Sequence, residues 1–232
     1  MRKVVDKIEM KCYTTIKQLF EKTVCEKLVK KMTKLEIAKK VLASTGGIAK
    51  TADFIVAGLA KYDVCNLNND GYLERIRHGF YKLADNFAIT DEQILDALLP
   101  EGIVCVESAL FYYGYSDFTP RIWTLAVPRT ISRAKIKIDD VALKVYYIPN
   151  QYYELGKTSA NFDGTTLSIY DLERTICDCF KYRTKLDNEL FNKAINAYVV
   201  DKQKNLSNLS KYAKEMSLFK RVNDLMEVML NG

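Results

Sequence analysis

Apolar positions recur along this chain first with a helical period and then in short, punctuated blocks. Val4, Ile8, Tyr13, Ile16, Phe20, Val24 and Leu28 follow one another at three, four or five residues with lysines between them, which predicts a helix over 4–30. Met32-Thr33-Lys34-Leu35 would also serve as the start of a new domain, so residues 1–32 are read as a helical N-terminal extension. From Thr33, the residues Leu35, Ala38, Val41 and Leu42 mark one face of a short helix that Gly46-Gly47 ends. A second helix is expected over 50–57, with Ala52, Phe54, Ile55 and Val56 as its apolar contacts, and Gly58 breaks it. A third follows over 60–68 with Ala60, Val64 and Leu67 turned inward. Asn69-Asp70-Gly71 is a turn signal, and strands over 72–76 and 80–83 flank Arg77-His78-Gly79. Short helices, a glycine turn and a hairpin in this order predict a winged helix-turn-helix over residues 33–89.

The second part of the chain mixes both periods. A helix is expected over 91–99, stopped by Pro100, with strands over 103–106, 122–127, 143–148 and 165–169. A short helix is placed over 108–113, with Ser108 as its cap. Asp171 is the expected cap of a helix over 172–182. Three more helical patterns close the chain, marked by Leu190/Ala194/Tyr198, Leu206/Leu209/Ala213/Met216 and Leu218/Val222/Leu225/Met229. The expected fold class is α+β: an N-terminal winged helix-turn-helix, then a mixed α/β domain over 90–232 ending in a helical bundle.

Composition narrows the function. Residues 1–89 hold 17 Lys+Arg against 10 Asp+Glu, a net of +7, and residues 90–232 hold 18 against 19, a net of −1. A basic segment joined to a near-neutral one fits a nucleic-acid-binding module attached to something else. No apolar run approaches the ~20 residues that cross a bilayer, and Asp6 and Glu9 interrupt any signal core, so the chain is read as cytosolic. Cys12, Cys25, Cys65, Cys105, Cys177 and Cys179 include no Cys-x-x-Cys pair and are read as reduced, mostly buried thiols without a metal. His78 is the sole histidine, which excludes a histidine base elsewhere and a His-rich metal site.

Candidate contacts follow from the expected helices. In a helix-turn-helix the second helix of the pair enters the major groove, here presenting Lys61, Tyr62, Asp63 and Asn66. Asn66 suits paired bonds with adenine, Lys61 reaches a phosphate or guanine, and Asp63 is expected to accept from a cytosine or to orient Lys61. The wing offers Arg75, Arg77, His78 and Lys82, which fix position through phosphates. Arg129, Arg133, Lys135 and Lys137 form a basic loop read as a partner or DNA contact. No catalytic residue, cofactor or metal is assigned. Asp171, Glu173 and Asp178 are explained by a cap and a solvated helix face, with Arg174 and Asp178 as an i,i+4 pair of ~0.3–0.5 kcal/mol. Tyr112, Tyr113, Tyr115 and Trp123 are read as core.

The same residues carry a resemblance. Gly46-Gly47, Ala52-Asp53-Phe54, Gly58 and then the run from Gly71 through Arg75, Arg77 and Gly79 to Tyr81 resemble the N-terminal domain of AbiEi-family antitoxins. Val106-Glu107-Ser108-Ala109-Leu110, Tyr113-Gly114, the run from Ile122 to Arg129, and the run from Asp171 to Arg183 resemble the rest of that family, over about residues 33–230. The resemblance implies a type IV toxin–antitoxin system, linked to abortive phage infection. Its antitoxin represses the shared operon by binding operator inverted repeats cooperatively; a monomer in solution is allowed, and the 4–30 helix stays open as a dimer interface. It also neutralises an AbiEii-type nucleotidyltransferase toxin, directly or indirectly. Arg75 and Arg77 are then the operator contacts. Family members carry Ser or Thr with Arg where this chain has Ala60 and Lys61, which implies a weaker basic reach. The alternative is a winged-helix regulator that senses a ligand and has no toxin partner; a nucleotidyltransferase-like enzyme ranks last, because the chain lacks Gly-Ser followed by spaced Asp-x-Asp/Glu.

Overall fold

The computed structural model describes residues 34–85, 88–117, 119–138 and 140–231, with the backbone alone at 229–231. The helical extension expected over 1–32 lies outside the described residues. These fall into two compact units divided between Ala88 and Ile89.

In unit 1, helix α1 spans residues 34–44, and Gly46 and Gly47 follow it with φ of 71° and 95°, a backbone that only glycine adopts without strain. Strand β1 (Ala49–Lys50), helices α2 (Thr51–Val56) and α3 (Lys61–Asn69), and strands β2 (Leu73–Arg77) and β3 (Phe80–Leu83) complete it. The three strands form one antiparallel sheet in the order β1-β3-β2, with Ala49 opposite Tyr81 and Leu73 opposite Leu83. Ala38, Leu42, Phe54, Leu59, Val64, Leu67, Leu73 and Tyr81 make the core. Two expectations are corrected. In α2 only Phe54 is buried, while Ala52, Ile55 and Val56 are exposed. Ala60 is exposed too, because it is the extended N-cap of α3 and not part of its helical face, and Leu59 before it takes the inward position. Strand β1 has no period to read in two residues, and only its pairing with β3 makes it a strand.

Unit 2 is built on a five-stranded mixed sheet in the order β6-β5-β4-β8-β7: Leu143–Ile148, Trp123–Pro128, Ile103–Val104, Thr165–Tyr170 and Lys157–Phe162. Around it lie α4 (Asp91–Leu98), α5 (Val106–Tyr112), α6 (Arg133–Ile136), α7 (Asn150–Tyr153), α8 (Leu172–Lys181), α9 (Asn188–Val200), α10 (Leu206–Glu215) and α11 (Phe219–Asn231). The expected cap of α5 is corrected. Cys105 holds the N-cap position, and Ser108 is buried inside the helix, where its Oγ accepts the Thr124 N–H at 2.9 Å and its own N–H donates to Thr124 Oγ1 at 2.8 Å.

Helix α8 departs furthest from expectation. Asp171 does cap it, accepting the Arg174 N–H at 2.8 Å, but every residue from Glu173 to Phe180 is buried. Arg174 is 0% and Asp178 1% exposed, so their pair at 3.2 Å is an interior ion pair, not a solvated face. The Arg174 guanidinium also donates to the carbonyls of Tyr152 and Leu155 at 2.7 and 2.8 Å and lies 4.1 Å from the centroid of the Tyr170 ring. Glu173 accepts the Asn205 N–H at 2.8 Å, and Tyr212 donates to Asp171 at 2.8 Å, which ties α10 to α8. Polar residues here read as surface in sequence because one chain cannot show that α9, α10 and α11 close over them.

Candidate nucleic-acid interface

Helix α3 begins without a capping hydroxyl. Its N-cap, Ala60, donates its N–H to Asp63 Oδ2 at 3.0 Å, and Lys34 donates to the other oxygen of Asp63 at 2.5 Å. Helix α2 repeats the device, with Lys50 N–H on Asp53 at 2.7 Å. The Lys34 and Ala60 hydrogen bonds hold the Asp63 carboxyl below the usual carboxylate range. Both oxygens of Asp63 are thus engaged within the unit. With Val64 and Leu67 in the core, Lys61, Tyr62, Cys65 and Asn69 are exposed along one side of α3, and Asn66 is half-buried beside them. Cys65 and Asn69 belong to this face and were missed; their spacing of four and eight from Lys61 would have found them.

The hairpin owes its basic surface to a bulge. Leu73 and Ile76 are both buried although they stand three apart, which strict alternation forbids. The pairing passes from Arg75↔Tyr81 to Arg77↔Phe80, leaving Ile76 as the extra residue. Ile76 therefore turns inward, and Arg75 before it is exposed. Arg77 is half-buried over the Phe80 ring at 4.5 Å, and Lys50 Nζ stands 5.6 Å from the same ring. At the tip, exposed His78 precedes Gly79, whose φ of 81° closes the turn and whose carbonyl accepts the Thr51 N–H at 2.9 Å. That bond fixes the tip beside the first residue of α2 and gathers Lys50, Arg77 and His78. Sequence reading missed Lys50, because β1 was not recognised. Lys82 sits at the other end of the hairpin, 3.5 Å from Glu74 across the strands and 17% exposed.

In unit 2, Arg129, Arg133, Lys135 and Lys137 are exposed, with Arg133 and Lys135 on the single turn of α6 and Lys135 donating to Glu101 at 2.6 Å. Residues 34–85 carry eight Lys+Arg against six Asp+Glu, so most of the N-terminal positive excess belongs to residues 1–33. What marks unit 1 is therefore the local grouping of Lys50 and Arg77 over the Phe80 ring, not net charge. Among the described residues no group of His, Cys, Asp and Glu is arranged to hold a metal, and no helix is long and apolar enough to cross a membrane.

No family model matches this chain, and no curated protein matches it. Among solved structures, the crystal structure of RV2827C protein from Mycobacterium tuberculosis matches 86% of this chain and 76% of that chain, with a TM-score of 0.61 at 15% sequence identity. What the two chains share is therefore a fold, a mixed α+β architecture.

Proposed function

We propose that residues 34–85 form a winged helix-turn-helix that binds operator DNA, and that the chain is an antitoxin of the AbiEi kind. In this reading it represses its own operon at inverted repeats and neutralises a nucleotidyltransferase-type toxin. The observation that carries the DNA half is the order α1-β1-α2-α3-β2-β3 with strand order β1-β3-β2, in which α3 is the recognition helix and β2-β3 the wing. Lys61, Tyr62 and Asn66 then face bases and phosphates from α3, while Arg75, Arg77, His78 and Lys50 contact phosphates from the wing. The toxin half rests on the sequence resemblance of residues 106–183, with the Arg129–Lys137 loop as the offered contact. Ser108 is not read as a nucleophile, since its hydroxyl and N–H are both engaged with Thr124.

The test measures full-length protein binding to DNA from its own promoter and to a scrambled duplex across a salt series. Arg75→Ala/Arg77→Ala should weaken promoter binding at least tenfold and flatten the salt slope by about 2. Unchanged affinity in a folded variant rules out the wing. Co-expression with the neighbouring gene product tests the rest: a neighbour that is harmless alone defeats the antitoxin reading. A ligand-sensing regulator is the second reading, favoured by one observation, an aromatic-lined cleft of about 520 Å³ in unit 2.

A further inference from the structure

That cleft has a chemistry of its own. It opens between the start of α4, the end of α5, the start of β5 and the β7–β8 turn. Tyr112, Trp123 and Phe162 form its wall: the Tyr112 and Phe162 rings are 4.7 Å apart, and Trp123 and Phe162 5.7 Å. Tyr112 remains 40% exposed, so the wall faces outward instead of closing into the core. Three carboxylates, Asp91, Glu92 and Asp163, complete the lining, and among the described residues that line it there is no Lys, Arg or His. Trp123 Nε1–H donates to Asp91 Oδ2 at 3.2 Å, which sets the indole against an acid. The start of α4 is already capped by Thr90 and Gln93, which exchange hydrogen bonds at 3.1 and 3.4 Å, so Asp91 and Glu92 are not needed there as caps.

Aromatic faces carry negative quadrupole charge and attract cations, an attraction of roughly 0.5–2 kcal/mol that grows as water is excluded. Carboxylates beside them add to that field and repel phosphates and acids. Arginine and lysine also carry an apolar stem that packs along ring surfaces while the charged head stays at the rim. We propose that this cleft docks a cationic side chain, an arginine or a lysine, presented by a partner protein. A nucleotide is disfavoured by the three carboxylates, despite the rings. The proposal concerns unit 2 alone and does not rest on the DNA reading of unit 1.

Trp123 is the sole tryptophan, so the full chain reports on its own cleft by fluorescence. The probes are acetyl-arginyl-leucine amide and acetyl-lysyl-leucine amide, with acetyl-glutamyl-leucine amide, choline and AMP alongside. Saturable changes in Trp123 emission are expected with the two cationic peptides, weakened at least fivefold by 0.5 M NaCl and by Asp91→Asn/Asp163→Asn. Both substitutions are conservative, since an Asn amide oxygen still accepts from the indole and Asn tolerates the φ of 46° at position 163. Should the double variant lose its thermal transition, Glu92→Gln is read in its place, with a weakening of at least twofold expected. No saturation by the cationic peptides, an equal response to the glutamyl peptide, or tighter binding of AMP overturns the proposal. Tighter binding of choline replaces the protein partner by a small cation, and carboxylate-dependent self-association replaces it by a second copy; either result overturns it too.

Discussion

A Cβ placed on Gly156 would stand 2.6 Å from the Cβ of Arg174, with φ at +70°. The turn after α7 therefore lies against α8 closely enough that only glycine fits, and this contact brings the Tyr152 and Leu155 carbonyls onto the guanidinium. Gly156→Ala should cost about 2–4 kcal/mol, combining left-handed strain with overpacking. Gly164→Ala is the control: its φ is +92° but a Cβ there meets nothing within 4 Å, so only the strain of about 1–2 kcal/mol is expected. Urea unfolding of both variants checks the difference, and equal losses would mean the Gly156 contact is not the cause.

Arg174 is the second test. Burial pushes the Asp178 carboxyl up even with Arg174 beside it. Arg174→Met leaves that carboxylate buried and unpaired, at a cost of about 3–5 kcal/mol near neutral pH. The sign of the pH effect follows from a folded pKa raised above its unfolded value near 3.9: stability is retained at low pH and lost as pH rises from that value through the raised one. The Arg174→Met variant should therefore melt higher at pH 5 than at pH 8. Arg174→Met/Asp178→Leu should recover the part of the loss due to the unpaired carboxylate and remove its pH dependence, while the Tyr152 and Leu155 carbonyls stay without their donor.

Much of this architecture was legible from sequence, for reasons that differ by element. Helices α9, α10 and α11 carry a full helical period, and β6 and β8 are dense in apolar and β-branched residues. Strand β7 was missed because Lys157-Thr158-Ser159-Ala160-Asn161-Phe162 buries only Ala160; its pairing with β8 makes it a strand. The hairpin was found, but not the bulge at Ile76, because a one-residue shift leaves no trace in composition. The burial of α8 was invisible for a related reason. Arg174 and Glu173 look solvated until the carbonyls and the amide that pair with them arrive from Tyr152, Leu155 and Asn205, 19 to 32 residues away in sequence.

Asp63 predicts an acid limb for unit 1. Its carboxyl is held low in the fold, so its contribution is present above the ordinary aspartate range and disappears as pH falls through the folded value. Asp63→Asn should lower the thermal stability of unit 1 at pH 7 and show a shallower loss between pH 5 and 2 than the parent. Lys34→Met should reproduce both changes in part. A parent and variant with parallel acid limbs would sink the assignment.

Cysteine chemistry gives an independent footprint. Cys65 is exposed on α3, whereas Cys105, Cys177 and Cys179 are buried, and burial pushes the Cys177 thiol up to about 12. Iodoacetamide followed by peptide mapping should label Cys65 in the native protein and label the other three only in denaturant. If α3 enters the major groove, promoter DNA should slow Cys65 labelling at least fivefold, while a scrambled duplex at the same salt does so far less. Equal labelling with and without saturating promoter DNA argues against α3 as the reading helix.

Because α8 is packed by α5 on one side and by α10 and α11 on another, residues 206–228 are structural walls and not an appendage. Trimming from the C-terminus would uncover Ile176, Cys177 and Phe180 together with the polar groups that α10 satisfies. Under the antitoxin reading proposed above, deletion mapping would be one way to look for a toxin-binding part of the chain. Here a shortened chain would lose solubility and resistance to proteolysis before it revealed a binding epitope, so surface substitutions, not truncations, are the instrument suited to this domain.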